Sequence, residues 1–286
     1  MAARTTNDQA GIVLAGGRST RMGTPKAWLE WHGSTLLRHV AGIVQRGVDG
    51  PVVVVRAAGQ ELPALPAGVE VVEDARDGRG PLQGLAAGLA ALDGRARVAY
   101  VSSTDAPLLH PAFVARVVGA LDADTDVVLP RAGGFPHPLS AAYRTSLAPL
   151  VERLLAADRL RPAFLFEECR TMRLGEEDLL AAPALRAADP ALDSVLNLNE
   201  PGDYDAARAR PAPVITVQRF GALRGDGPRG AVPVRAATLA GAAAAAGLEL
   251  DGHVVAAVNG DRITADPQAP LAAGDTIAFL SADAGG

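Results

Sequence analysis

One segment indicates the fold most clearly: Ile12-Val-Leu-Ala-Gly-Gly-Arg-Ser-Thr-Arg-Met-Gly-Thr-Pro-Lys26. Residues 12–15 form a short apolar run, which is typical of a buried parallel strand. Gly16 and Gly17 follow, and because glycine lacks a Cβ atom, the backbone N–H groups there can close on a ligand. The segment therefore predicts a strand that ends in an anion-binding loop.

Three cations accompany this loop. Arg18 and Arg21 are three residues apart, so one helical turn would direct both side chains at the same phosphates. Lys26 is the only lysine among the 27 basic residues. Its ammonium is a compact point charge, whereas a guanidinium is planar, so the two contact a triphosphate with different geometry. The glycines alone fit an ordinary strand–loop–helix connection equally well. With the cations at these spacings, the pattern favours phosphate binding.

The loop lacks the Gly-Lys-Ser/Thr of a Walker A motif and the G-x-x-G spacing of a dinucleotide site. Leu14-Ala-Gly-Gly-Arg-Ser-Thr-Arg-Met-Gly-x-x-Lys26 instead resembles the signature loop of the nucleotidyltransferases, and among them that of the molybdenum cofactor guanylyltransferases. The resemblance implies that Arg18, Arg21 and Lys26 stabilise a leaving pyrophosphate. It also implies a nucleotide site that includes Leu14, Ala15, Gly16, Gly17, Arg18 and Lys26.

The composition narrows the function classes. Of the 286 residues 49% are apolar, and the net charge of -5 argues against a basic nucleic-acid binder. The single cysteine, Cys169, excludes an intramolecular disulfide and a Cys-x-x-Cys metal site, which fits a reducing cytoplasm. Residues 1–10 are polar and do not resemble a signal peptide, and no apolar stretch approaches the ~20 residues of a membrane helix. We therefore expect a cytoplasmic protein without a nucleic-acid or membrane partner.

Apolar runs after the loop alternate with segments of helical periodicity. Strands are expected at residues 51–55, 69–72, 98–102 and 126–130, and helices at residues 35–46, 80–89, 146–157 and 163–168. Such alternation predicts an α/β domain with a doubly wound, mostly parallel sheet. The family resemblance implies the same Rossmann-like nucleotidyltransferase fold.

The segment Gly80-Pro-Leu-Gln-Gly84 opens one of these helices. Proline suits a first helical turn, and Gly84 and Gly88 would leave a smooth stripe for a ligand or another backbone. Guanylyltransferases have a Gly-Pro-Leu-x-Gly segment at this place, preceded by an aspartate that contacts the nucleotide. The resemblance implies that role for Asp74, with Asp77 close enough to compete.

Asp105 follows the strand expected at residues 98–102. A carboxylate at the carboxyl end of a parallel strand lies in the crevice where α/β sheets bind ligands. By itself, an Asp-x-Pro context is more typical of a helix N-cap or a turn. The family places its Mg²⁺-binding aspartate in an Asp-x-Pro-Leu context, so the resemblance implies that Asp105 binds Mg²⁺ and is a catalytic residue.

The resemblance continues in two later motifs. His137, in His-Pro-Leu, corresponds to the region where the pterin substrate approaches, although a structural histidine held between two prolines is an equal alternative. Asn197 and Asn199 lie in an Asn-x-Asn-x-Pro motif that in the family returns towards the metal and phosphates. Asn199 could instead be the N-cap of a following helix.

Residues 1–208 are expected to form the nucleotidyltransferase domain, residues 209–213 a linker and residues 214–286 a second domain. The sequence pattern of residues 214–286 predicts the element order ββαββ. It resembles the sulfur-carrying small subunit of molybdopterin synthase, a ubiquitin-like β-grasp protein, in Val-Asn-Gly (258–260), Leu-x-x-Gly-Asp (271–275) and a terminal Ala-Gly-Gly. The thiamine-pathway carrier has a similar fold and ending.

The carrier resemblance implies a thiocarboxylate on the end formed by Gly285 and Gly286, made by an adenylating, sulfur-transferring enzyme and delivered to the large subunit of molybdopterin synthase. A ubiquitin-like docking module without chemistry is the alternative for this domain.

Together the resemblances imply a bifunctional protein of molybdenum cofactor biosynthesis that transfers GMP from GTP to molybdopterin with Mg²⁺. A cytidylyltransferase on the same scaffold is the nearest alternative. Pro25 supports CTP, because related cytidylyl enzymes often have proline before the lysine. Gly16 supports GTP, because those enzymes more often have alanine at that place.

Overall fold

The computed structural model describes residues 8–16, 24–74, 76, 78–224, 230–251 and 253–281. The strands in these ranges are β1 (Gln9–Leu14), β2 (Glu30–Trp31), β3 (Ser34–Thr35), β4 (Val52–Ala57), β5 (Val69–Asp74), β6 (Val98–Ser103), β7 (Val127–Ala132), β8 (Phe135–Pro136), β9 (Ser140–Arg144), β10 (Thr171–Leu174), β11 (Val214–Arg219), β12 (Val232–Arg235), β13 (Val254–Val258), β14 (Arg262–Thr264) and β15 (Thr276–Ser281).

The α-helices are α1 (Leu36–Gly47), α2 (Pro81–Ala91), α3 (Pro111–Val118), α4 (Ala148–Ala156), α5 (Pro162–Glu167), α6 (Glu176–Leu180), α7 (Pro183–Ala188), α8 (Pro201–Arg208) and α9 (Leu239–Ala245). Four of the helices expected from periodicity correspond to α1, α2, α4 and α5, with ends that differ by one or two residues. In the described part of the chain, no helix combines the length and apolar character that a membrane span needs.

The chain forms two compact units. The first contains Met1–Leu29 and Leu36–Pro201, and the second contains Glu30–Thr35 and Gly202–Gly286. The hairpin of β2 and β3 thus groups with the C-terminal part of the chain. Within the second unit the Tyr204 hydroxyl donates to the backbone oxygen of Glu30 at 2.7 Å.

This division differs in two places from the domains expected at residues 1–208 and 214–286. The hairpin leaves the first unit, and residues 202–208 of α8 join the second. Residues 209–213, the expected linker, lie in neither a helix nor a strand.

The first unit is built on a largely parallel sheet with the strand order β10-β7-β9-β6-β1-β4-β5, and β8 pairs with β7. β1 lies between β4 and β6 and runs parallel to both, which explains why its sequence is apolar without alternation. β9 runs antiparallel to both β6 and β7. The fold is therefore the expected mixed α/β type. Residues 133–143 were expected to form a loop and a strand, but the antiparallel direction of β9 inside the sheet was not predicted.

Helix α2 packs closely on β1 because two of its residues lack side chains. A Cβ atom at Gly88 would lie 2.7 Å from a side-chain carbon of Ile12, and one at Gly84 would lie 3.2 Å from a carbon of Leu14. The surrounding core is apolar and includes Leu85 and Leu89 of the same helix. The predicted glycine stripe thus allows close packing between α2 and β1.

The second unit contains a five-stranded sheet with the order β12-β11-β15-β13-β14. Its central pair, β11 and β15, is parallel, and the other neighbours are antiparallel. The apolar face of α9 belongs to the core of this sheet through residues such as Leu239 and Ala242. The turn expected at Asn259 and Gly260 is present, but the short strand β14 after it was not predicted.

Candidate active site

A cleft of about 540 Å³ opens where β1, β4, β5 and β6 end at their carboxyl edge. All of these strands belong to the first unit. The position agrees with the general rule that open α/β sheets bind ligands beyond the carboxyl ends of their strands. The lining residues are Leu14, Ala15, Gly16, Pro25, Lys26, Ala27, Val55, Arg56, Ala57, Gln60, Asp74, Gly78, Gly80, Pro81, Gly84, Ser103, Thr104, Asp105 and Leu139.

The end of β1 is fixed by hydrogen bonds from both neighbouring strands. The Thr104 hydroxyl, just beyond β6, donates to the oxygen of Leu14 at 3.0 Å. On the other side the Ala15 N–H donates to the oxygen of Val55 at 2.8 Å. The Gln60 side-chain amide donates to the oxygen of Ala15 at 3.0 Å. The strand end therefore offers a rigid floor to the cleft.

Gly16 lies at the exposed end of this floor. A Cβ atom at Gly16 would have its nearest neighbour, the nitrogen of Ala57, at 3.6 Å, which is ordinary van der Waals contact. The fold alone thus has room for alanine, and the glycine leaves that space to the cleft. Gly17, Arg18 and Arg21, which the sequence assigned to phosphate binding, lie outside the described residues.

Lys26 and Asp105 meet in the cleft. The Lys26 ammonium donates to Asp105 Oδ2 at 2.7 Å, with 21% and 19% of the two side chains exposed. The Ser103 hydroxyl donates to Asp105 Oδ1 at 2.5 Å. The ammonium also donates to the backbone oxygen of Leu198 at 2.5 Å. The structure thus brings together two charged residues that are 79 positions apart in sequence and that the family resemblance assigns to one nucleotide site.

The contacts of Asp105 exclude one structural interpretation of its Asp-x-Pro context, the helix N-cap, although the residue does lie in a turn. Its carboxylate oxygens contact the side chains of Ser103 and Lys26. The next helix, α3, has His110 as its N-cap, whose Nδ1 accepts from the Ala112 N–H at 3.0 Å. The Asp105 side chain is therefore directed to the cleft and does not cap this helix.

Asp74 is the last residue of β5 and lines the cleft. Its Oδ1 accepts a hydrogen bond from the Arg76 N–H at 2.9 Å, the geometry by which aspartate initiates a turn. The described structure therefore places Asp74 at the cleft, where the family resemblance implies a contact with the nucleotide. Asp77, the competing residue, lies outside the described residues.

His137 and the two asparagines are placed differently from Asp74. The His137 ring donates through Nε2 to the oxygen of Ala132 at 3.0 Å, within its own loop, and His137 is not among the described residues that line the cleft. Asn197 and Asn199 are exposed and do not line it either. Leu198 between them is buried and supplies the backbone oxygen that Lys26 contacts. In this motif the described contact with the site thus comes from the backbone.

Among the residues not singled out from the sequence are Arg56, Gln60 and Ser103, which line the cleft, and Leu198, whose backbone oxygen contacts Lys26. Arg56 had a signal, because it is the first charged residue at the end of a buried strand that reaches the same edge. Ser103 had one too, because it lies two residues from Asp105. The contacts of Gln60 and Leu198 involve backbone oxygens. Because every residue type has such an oxygen, these contacts cannot be predicted from the residue types.

The charged side chains among the described lining residues are Lys26, Arg56, Asp74 and Asp105. Arg56 donates to Glu73 at 3.1 Å and to the oxygen of Gln60 at 2.8 Å. Within the described part of the chain, no group of three or more His, Cys, Asp or Glu residues could hold a metal ion. Mg²⁺ is commonly held by one or two carboxylates together with substrate phosphates, so the donor set around Asp105 fits Mg²⁺ bound with a nucleotide.

Comparison with known proteins agrees with this site. Residues 11–171 match the model of the MobA-like NTP transferase domain. The chain is 42% identical over 173 residues to a "Probable molybdenum cofactor guanylyltransferase" of Mycobacterium ulcerans, covering 59% of this chain and 84% of that protein. A protein with the same description from Mycobacterium tuberculosis is 40% identical over 169 residues, covering 58% of this chain and 82% of its own length.

Among solved structures, molybdopterin-guanine dinucleotide biosynthesis protein A from Archaeoglobus fulgidus has a similar fold. Its TM-score is 0.54 at 23% identity, covering 70% of this chain and 96% of that one. The matched family model spans more than half of the chain, including β1, the cleft-facing end of β6 and Asp105. The chain therefore belongs to the MobA-like NTP transferase family and is a nucleotidyltransferase.

Proposed function

We propose that this protein transfers GMP from GTP to a terminal phosphate of molybdopterin, with Mg²⁺ and release of pyrophosphate. The name of its mycobacterial relatives supports the substrate pair. The observation that carries the proposal is the meeting of Lys26 and Asp105 at the carboxyl ends of neighbouring strands, on a cleft of about 540 Å³. That volume lies within the range of small-molecule sites.

The proposed roles follow from charge and position. Lys26 would donate to phosphate oxygens and stabilise the negative charge of the leaving pyrophosphate, together with Arg18 and Arg21. Asp105, held by Ser103 at 2.5 Å, would hold Mg²⁺. When bound, Mg²⁺ supplies charge neutralisation at phosphate oxygens. In such transfers catalysis consists mostly of positioning and electrostatic stabilisation, so the cleft needs no protein nucleophile. We also propose that the protein acts in the cytoplasm.

GTP is proposed over CTP because Gly16 leaves space that the fold could fill with a Cβ atom. A thermal-shift series with GTP, CTP, ATP and UTP at equal concentration tests this choice. The ligand that binds the folded protein most tightly raises the melting temperature most, by RT ln(1 + [L]/Kd) in free energy. We expect the largest rise with GTP. Tripolyphosphate serves as the control, because it offers the phosphates without a base.

Equal or greater protection by CTP would contradict the guanylyl assignment. It would favour the cytidylyltransferase that Pro25 suggests. Protection that is the same for all four nucleotides and for tripolyphosphate would also contradict it, because the base would then add nothing to binding.

We further propose that the second unit is a ubiquitin-like β-grasp sulfur carrier. Its mixed sheet with helix α9 in the same core supports this proposal. Two of the three motifs that carry the resemblance also contact each other, since the Asn259 side-chain amide donates to Asp275 Oδ1 at 3.0 Å. The proposed acceptor is the carboxylate of Gly286, with Gly285 before it, both outside the described residues. The proposed partners are an adenylating, sulfur-transferring enzyme and the large subunit of molybdopterin synthase.

Intact mass spectrometry tests the carrier proposal. The full chain is incubated with a molybdopterin-pathway activating enzyme, ATP and a sulfur donor. We expect a mass gain that corresponds to sulfur in place of one oxygen, and no gain in a variant that lacks Gly285 and Gly286. Nucleotidyl transfer should be equal in both proteins. If the full chain never gains this mass, the unit is a docking module and the carrier proposal is wrong.

A further inference from the structure

The two carboxylate oxygens of Asp105 have different partners. Oδ1 accepts from the Ser103 hydroxyl at 2.5 Å, and Oδ2 accepts from the Lys26 ammonium at 2.7 Å. Ser103 and Asp105 are separated by one residue at the end of β6, whereas Lys26 is 79 residues away in sequence. The contact at Oδ1 is therefore local, and the contact at Oδ2 depends on where the lysine lies.

A second acceptor holds the lysine in this position. The backbone oxygen of Leu198 accepts from the same ammonium at 2.5 Å. Leu198 is itself fixed, because its N–H donates to the backbone oxygen of Asp105 at 2.9 Å and its side chain is buried. Carboxylate, ammonium and carbonyl thus form one connected arrangement at the edge of the cleft.

We propose that Lys26 is a latch on the cleft: its ammonium competes with a divalent cation for Asp105 Oδ2, and it exchanges this partner when a triphosphate offers replacement oxygens. This rests on the proposed function for its metal and its nucleotide. Leaving Asp105 costs the lysine a charge-assisted hydrogen bond, and phosphate oxygens replace that bond. Cation and triphosphate therefore favour each other's binding, and by linkage the effect is reciprocal.

Ser103 determines which oxygen is exchanged. Because its hydroxyl holds Oδ1, the carboxylate keeps the orientation that presents Oδ2 to Lys26. We therefore place the exchange at Oδ2.

Mn²⁺ binding without any nucleotide tests the latch in the full-length protein. Free Mn²⁺ is counted by electron paramagnetic resonance while the protein is titrated. Lys26→Gln keeps a hydrogen-bond donor and removes the charge, so we expect it to bind Mn²⁺ about tenfold more tightly than the wild type, the usual value of a charge-assisted hydrogen bond. A melting curve of each variant shows that it is folded.

Arg56→Gln is the matched control. Arg56 is another cation that lines the cleft, but its guanidinium donates to Glu73 and Gln60. Its loss lowers the positive charge of the cleft and leaves Asp105 with its partners, so Mn²⁺ affinity should change by less than about twofold, in the range of exposed ion pairs.

Unchanged or weaker Mn²⁺ binding by Lys26→Gln would overturn the latch, and so would an equal gain in Arg56→Gln, which would indicate a general charge effect. Absence of binding in every variant, Lys26→Gln included, would overturn it as well. Asp105→Asn separates the two proposals. If it binds Mn²⁺ like the wild type, the metal assignment fails and the latch with it. If it loses Mn²⁺ while Lys26→Gln equals the wild type, only the latch fails.

Discussion

Asp105 in the first unit and Asp275 in the second are both held by hydrogen bonds to their carboxylate oxygens, but their surroundings differ. Asp105 is partly exposed and faces a cleft, with one oxygen accepting from a lysine that also lines that cleft. Asp275 is buried, and its oxygens accept from the Asn259 side chain at 3.0 Å and from the Ala272 N–H at 2.7 Å. The carboxylate that we propose as a metal ligand is thus open to a ligand, whereas the enclosed one holds the fold.

The two units also differ in where their polar and charged groups lie. In the first unit, charged groups lie at the carboxyl ends of strands, where a nucleotide can reach them. In the second unit, the conspicuous polar motifs around Asn259 and Asp275 hold turns against strands, since the Asn259 side-chain oxygen also accepts from the Thr276 N–H at 2.9 Å. This agrees with our proposal that the second unit acts through its terminal glycines.

The largest effect is expected from Asp105→Asn. The change keeps the size of the side chain and removes its charge, so turnover should fall by a factor of about 10³, as when a preorganised electrostatic group is lost. Pyrophosphate release measures turnover, and the melting temperature should stay within a few degrees of the wild type. Retained turnover with a large loss of melting temperature would make Asp105 a structural residue like Asp275.

The complementary change is Asp275→Ala. Removing the carboxylate leaves the buried N–H of Ala272 and the partly buried side-chain amide of Asn259 without this acceptor. We expect the second unit to lose about 2–3 kcal/mol of unfolding free energy, measured by hydrogen exchange, while nucleotidyl transfer is unchanged. Asp261→Ala is the control. Asp261 is an exposed aspartate of the turn that contains Asn259, so the change should have little effect. A loss of nucleotidyl transfer in Asp275→Ala would show that the two functions are not separate.

A smaller effect is expected at the packing of α2 on β1. Gly88→Ala would place a Cβ atom 2.7 Å from the Ile12 side chain, and the resulting strain should outweigh the gain in helix propensity by about 1 kcal/mol. Gly202→Ala in α8, where nothing lies within 4 Å, should be neutral or stabilising. Denaturant titration measures both. Stabilisation by Gly88→Ala would show that β1 can move away from α2 without cost.

The sequence predicted the centre of the first unit better than its periphery. β1 was recognisable because a buried parallel strand is apolar throughout. The position of Asp105 at the cleft was recognisable because it follows a second such strand. The direction of β9 was not predicted, because its residues have the same apolar character whichever way the strand runs.

The contacts that complete the site were beyond the sequence for a physical reason. Lys26 contacts a backbone oxygen 172 residues away, and any residue type at position 198 supplies such an oxygen. The expectation concerned Asn197 and Asn199, whereas the described contact of this segment with Lys26 is made by Leu198. The hairpin Glu30–Thr35 joins the second unit through long-range contacts that its short sequence does not show.

The smallest effect concerns an ion pair that lies outside the cleft lining. The Arg170 guanidinium hydrogen-bonds to Asp126 and holds the pKa of that carboxyl below its ordinary value. The pair therefore stabilises the fold above the unfolded pKa of about 3.9, and this contribution is lost as the pH falls through the lower folded pKa. Asp126→Asn should cost up to about 1 kcal/mol at neutral pH, as expected for a partly exposed pair. Urea titrations should show no difference from the wild type well below the folded pKa.

We propose that the cleft of the first unit transfers GMP from GTP to a terminal phosphate of molybdopterin, and one reaction tests this directly. The protein is incubated with Mg²⁺, molybdopterin and an equal mixture of the four nucleoside triphosphates, and the product is identified by its mass. We predict molybdopterin carrying GMP, with one pyrophosphate released for each product and none formed by Asp105→Asn. A product that carries CMP, or no nucleotidylated product at all, would contradict the account.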